Sequence, residues 1–207
     1  FLIRQFTRVL SSYLGAAHLP GFPYFNEQSA GAWLGICFIA LWLTRRHLVY
    51  VFRTAISYKS SSEADEPMRY RAAIIGFLGG FLFLSVFSYH AGMNLKAIFI
   101  FFAIYFFIAV AITRLRAEFG TPHGIFNHPT EMMVTVFGTA VWGGHNLTVM
   151  SFYHWFNRSY RSHAMPNQFE PLKMAEVIGC NTRRLVIAMM IGSLVALIVS
   201  MWLSLIH

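Results

Sequence analysis

The sequence predicts an all-α, polytopic integral membrane protein, and three observations carry that prediction. The 207 residues are 57% hydrophobic and only 12% charged, where soluble domains carry about 25% charged residues. Mean hydropathy is +0.54. The apolar residues fall into long runs separated by short polar segments, the pattern of helices that cross a bilayer. Aromatic content is 17%, with 21 Phe, suited to facing lipid or packing between helices.

The elements follow in chain order. Residues 1–14 place Leu2, Ile3, Phe6, Val9, Leu10, Tyr13 and Leu14 on one helical stripe, with Arg4, Gln5, Arg8, Ser11 and Ser12 opposite. That pattern predicts an amphipathic helix lying in the membrane interface. Pro20 to Pro23 begin a turn-rich aromatic loop, which closes an interfacial segment 1–25. Span one is expected at 29–43, short of the ~20 residues a bilayer needs and extended by Phe22, Tyr24 and Phe25. Arg45, Arg46 and His47 are read as its stop, and 48–59 as a second surface helix. Residues 60–67, SSSEADEP, read as a polar linker.

Spans two and three are expected at 72–90 and 95–112, joined by the tight turn Ala91-Gly92-Met93-Asn94, and span four at 185–205. Small residues recur every four positions at Ala72, Gly76 and Gly80, and again at Ala188, Gly192, Ala196, Ser200 and Ser204. Such seams let membrane helices approach closely.

Charge placement sets both partners and topology. The formal net charge is +8, but the basic residues flank the apolar runs instead of forming one surface. No nucleic-acid partner is expected. The lipid bilayer is, together with the rest of a longer polypeptide or other membrane subunits. The clusters at 44–71, at Arg114 and Arg116, and at 158–184 are assigned to the cytoplasmic side. Residues 117–157 must then cross an even number of times. Met132–Trp142 and Leu147–Phe156 are each too short to span, so a broken or re-entrant hairpin is expected, with Asn146 as N-cap of its second arm. Phe1-Leu2-Ile3-Arg4 offers neither an initiator Met nor a signal-peptide pattern, and the chain reads as one membrane domain from a longer protein.

Chemistry concentrates between Arg114 and His163. The candidate substrate-path residues are Glu118, His123, His128, Glu131 and His145. Polar side chains at membrane depth persist where they are buried in protein or line a wet cavity. Breaks at Gly120-Thr121-Pro122 and Gly143-Gly144 would free backbone groups to hold a solute. The alternative for Glu118 is a surface i,i+4 ion pair with Arg114. The spacings among Glu118, His123, His128 and Glu131 are five, five and three, which match no metal-ligand signature, and no metal site is expected. His90, His145 and His154 lie near the ends of apolar segments, the place of an axial ligand to a pigment or haem, and the cofactor is left open. Cys37 and Cys180 form no CxxC, and no disulfide framework is implied. No GxSxG or other nucleophile setting exists, so an enzyme is not expected.

The segments PYFNEQSAGAWLG, EADEPMRYRAA, TRLRAEFGTPHG and NLTVMSFYHWFNRSYRSHAMPNQFEPLKMAE carry a resemblance. The chain resembles an uncharacterised family of large, multi-pass bacterial membrane proteins, a domain of unknown function. More loosely it is similar to oligopeptide-transporter-type secondary carriers. The resemblance implies an inner-membrane protein and transfers no site residue. The expected function is movement of a small solute, with coupling to protons open. The alternative is a non-catalytic transmembrane subunit of an electron-transfer or light-harvesting complex.

Overall fold

The computed structural model describes residues 2–15, 22, 24–57, 68–120, 127–157 and 163–206. Among these the secondary structure is helical throughout, without strands. The protein is an all-α polytopic membrane protein, and four of its helices are long and apolar enough to cross a bilayer.

Helix α1 (Leu2–Tyr13) is the amphipathic element the periodicity predicts. Phe6, Val9, Leu10 and Tyr13 on its apolar stripe remain exposed, as an interface-seated helix requires. Helix α2 (Phe25–Ser57) is one continuous helix of 33 residues, not a short span at 29–43 followed by a separate surface helix. At 1.5 Å per residue it is ~50 Å long, against a hydrocarbon core of ~30 Å. Arg45 and Arg46 therefore mark where a helix outruns the apolar layer; no Gly or Pro between 36 and 57 ends it. The Arg45 guanidinium lies 4.0 Å over the Trp42 ring. The expected linker at 60–67 lies outside the described residues.

Helices α3 (Tyr70–His90) and α4 (Leu95–Phe119) form the expected hairpin. Its turn uses Gly92 at φ +99°, a conformation glycine alone takes freely, and Met93 N donates to Ser88 O at 3.0 Å. The core is built on α4. Ala97, Ile98, Phe101 and Phe102 are buried with Met93, Met133, Trp142 and Met150, and Ile108 and Ile112 extend it beneath Trp33 and Met132.

The remaining chain forms α5 (Pro129–Phe137), α6 (Thr139–Phe152), α7 (His154–Asn157), α8 (Ala164–Ile178) and α9 (Thr182–Ile206). Pro129 occupies the first position of α5, where its missing N–H costs nothing. Gly179, at φ 74° and ψ 24°, closes α8 in the left-handed conformation. The two small-residue seams are left uncovered among the described residues. A Cβ built on Gly76, Gly80 or Gly192 would meet nothing within 4 Å, and Ala196 and Ser200 are exposed.

Candidate functional site

Two glycines shape the 129–157 hairpin. Gly138 lies at φ 77°, ψ 160° and Gly143 at φ 70°, ψ 164°, a region essentially reserved for glycine. The first ends α5; the second interrupts α6. The second break falls on Gly143, the first residue of the expected separator 143–146, whereas the break at Gly138 was not expected. The indole N–H of Trp142 donates to Met133 O at 3.1 Å and ties the two arms together.

The interruption is confined to Gly143, which changes the role of Asn146. Helix resumes at Gly144, so Asn146 already sits inside the second arm and is not its N-cap. Its amide Nδ2 donates to Trp142 O at 2.6 Å, while Oδ1 accepts from Asn94 N at 2.8 Å. It thus satisfies an orphan N–H at the start of α4.

From that anchor the chain descends along α4. Tyr153 packs on Phe101 and Phe102, with its hydroxyl 2.7 Å from Ser88 Oγ. Phe156 and His163 both pack on Tyr105. Finally Arg116 engages α8: Nε and Nη2 donate to the two Glu170 carboxylate oxygens at 2.5 and 2.9 Å, and Nη1 donates to Asn167 Oδ1 at 2.6 Å. Contacts at 94, 101–105 and 116 mean that residues 146–157 and 163–170 run parallel to almost all of α4. They do so in pieces: α6, α7 and α8 together form one discontinuous helical arm. Its lower piece, α8, was not expected from the sequence. His163 caps it by accepting from Met165 N at 3.2 Å.

A cleft of about 350 Å³ opens between α5 and the first turns of α2. Glu27 and Asn26 face Glu131, Asn127 and Thr135 across it, with Gly31 and Leu34 in the wall. Asn127, which is buried, fastens the two elements: its Oδ1 accepts from Ser29 Oγ and its Nδ2 donates to Asn26 O, each at 2.9 Å. Both carboxylates are exposed to the cleft. Among the described residues the lining offers two carboxyl groups and several amide and hydroxyl groups, and no Lys, Arg or His. Such a lining favours a cationic or hydrogen-bond-donating guest.

The four sequence candidates among the described residues do not converge on this cleft. Glu131 lines it. Glu118 is in a surface ion pair with Arg114 at 2.5 Å, each side chain about half exposed, which is the bland alternative. His128 is buried behind it against Asn157 and His154. His145 lines a separate, largely apolar groove of about 630 Å³ beside Phe83, Phe87, Phe152 and Trp155. His123 lies outside the described residues. Glu27 was missed because it stands 104 residues from Glu131 and no local spacing connects them. No group of three or more His, Cys, Asp or Glu suited to a metal occurs among the described residues.

A family of unknown function, DUF6785, matches residues 1–207. The chain belongs to that family. Neither a curated protein nor a solved structure is detectably similar to it. Membership supplies no activity, so the functional reading for this family member rests on the geometry above.

Proposed function

We propose that this chain belongs to a multi-pass carrier that moves a small solute through a bacterial inner membrane, with Glu131 and Glu27 in the solute path. The observation that carries the reading is the polar cleft between α2 and α5, next to the glycine-broken hairpin of α5 and α6. Interrupted helices within the membrane are the places where transporters hold solutes, because their breaks expose helix ends and backbone groups that a continuous helix satisfies internally. Carboxylates in such a setting also accept protons, which makes proton coupling part of the proposal. The uncovered seams on α3 and α9 then take further helices of a longer polypeptide or of neighbouring subunits.

Those same seams favour a second reading, a non-catalytic subunit of an electron-transfer or light-harvesting complex. An absorption spectrum of the purified protein, free of bound pigment or haem, counts against it.

The test of the carrier is uptake into proteoliposomes of a panel of labelled dipeptides, amino acids and amines under an imposed pH gradient. At least one solute should enter above the level of empty liposomes. Glu131→Gln and Glu27→Gln should each lower that uptake about tenfold or more, the effect of removing about 1.4 kcal/mol of binding, while Glu118→Gln leaves it unchanged. Equal uptake by wild type and Glu131→Gln across the panel contradicts the proposal.

A further inference from the structure

Beside the α3–α4 turn, the groove of about 630 Å³ runs between α3 and α6. Phe83, Phe87 and Ala91 wall it on one side, His145, Thr148 and Phe152 on the other, over Phe102. Positions 145, 148 and 152 fall on one face of α6. Phe83 and Ala91 are eight residues apart, so the groove extends ~12 Å inward from the turn. Both α3 and α4 are long and apolar enough to cross a bilayer. That puts their turn at the membrane edge and the groove at hydrocarbon depth. Phe83, Phe87 and Phe152 are exposed, so the groove stands open to the acyl chains beside it.

Free polar groups are confined to the end near the turn. Inside the groove the Tyr153 hydroxyl lies 2.7 Å from Ser88 Oγ, and Thr148 Oγ1 donates to Gly144 O at 2.9 Å, so both are satisfied. His145 differs. Its Nδ1 lies 4.0 Å from where a Cβ on Gly92 would stand, which sets the ring against the turn. Among the described residues it has no hydrogen-bond or ion-pair partner. Lys96, exposed at the second position of α4, is likewise unpaired among them. Two residues before it, Asn94 N donates to Asn146, the neighbour of His145, which holds both groups at one end of the hairpin. No Asp or Glu occurs across 72–117 or 132–169. This end therefore offers a cation and imidazole N–H donors with no carboxylate to answer them.

We propose that the groove seats one acyl chain of an anionic phospholipid, whose phosphate accepts from the His145 ring and lies near Lys96. A mostly apolar concavity of a few hundred Å³ with very few polar groups is the common form of a small-molecule site. Basic pockets between membrane helices recognise acidic lipid headgroups. An uncharged apolar guest would fill the groove and leave His145 and Lys96 unanswered. The groove and the Glu27–Glu131 cleft lie on different helix pairs, so either proposal can fail alone.

Dioleoyl phosphatidylglycerol is the probe, with zwitterionic dioleoyl phosphatidylcholine as its control. The full chain is purified in detergent, stripped of lipid and titrated with each, and bound lipid is counted by native mass spectrometry. One phosphatidylglycerol per chain is expected, held at least about fivefold tighter than phosphatidylcholine. Thr148→Trp, which fills the groove, should weaken both lipids at least about tenfold. His145→Ala and Lys96→Gln should each remove most of the preference for phosphatidylglycerol. Leu78→Trp, on the opposite face of α3, should change nothing. His145 is exposed, so its replacement remains informative even where Thr148→Trp does not fold. Equal binding of the two lipids by the wild type, or a preference untouched by His145→Ala, overturns the site. So does a wild-type chain that takes up no phosphatidylglycerol, the result expected where a further helix covers the groove.

Discussion

Gly138 and Gly143 each carry the shape of the polar hairpin on a single backbone conformation. A Cβ at either would meet nothing within 4 Å, so any penalty for adding one comes from φ and ψ alone. Gly138→Ala and Gly143→Ala should each lose about 1–3 kcal/mol of stability. Gly144→Ala, one residue on and without a positive φ, should gain up to about 0.5–1 kcal/mol. Thermal unfolding of the three variants in detergent checks this, and a loss for Gly144→Ala equal to that of Gly143→Ala would contradict it. At this scale the sequence was half legible. That glycines break the hairpin could be read from Gly143-Gly144, but which of them leaves the helix could not. The choice rests on Trp142 reaching Met133 and Asn146 reaching Asn94. The second pairing joins residues 52 apart.

Legibility at the scale of elements follows the same logic. The α3–α4 hairpin was plain because two uninterrupted apolar runs flank a four-residue turn. Helix α2 was misdivided because charge was read as a stop, whereas a charge ends the apolar layer and not the helix. Helix α8 was hidden by Pro166 and Pro171. Pro166 lies in its first turn, where proline is tolerated, and Glu170 repays the second interruption through its fork to Arg116. The continuity of α2 is measurable. Spin labels at exposed Ile39 and Ile56 are separated by 17 residues, or ~26 Å along a straight helix. A turn onto the membrane surface near His47 would shorten that to about 18 Å by the same rise per residue. Pulsed dipolar spectroscopy separates the two, and the longer distance is expected.

For the whole molecule, the membrane class was written in composition and run length, whereas the site was not. The cleft draws Glu27 and Asn26 from the first turn of α2, and Asn127, Glu131 and Thr135 from around α5. Only the packing of both elements around α4 brings them together. A carrier requires this cleft to be wet while the apolar surfaces around it face lipid. Substituted-cysteine labelling in sealed membrane vesicles tests that most directly. In a Cys180→Ser background, with buried Cys37 retained, a membrane-impermeant maleimide should modify Thr135→Cys and spare Leu194→Cys, an exposed apolar position on α9. Modification of Thr135→Cys should also slow when Glu131 is replaced by a bulky Trp that fills the cleft. Thr135→Cys as unreactive as Leu194→Cys would show a dry cleft and contradict the account.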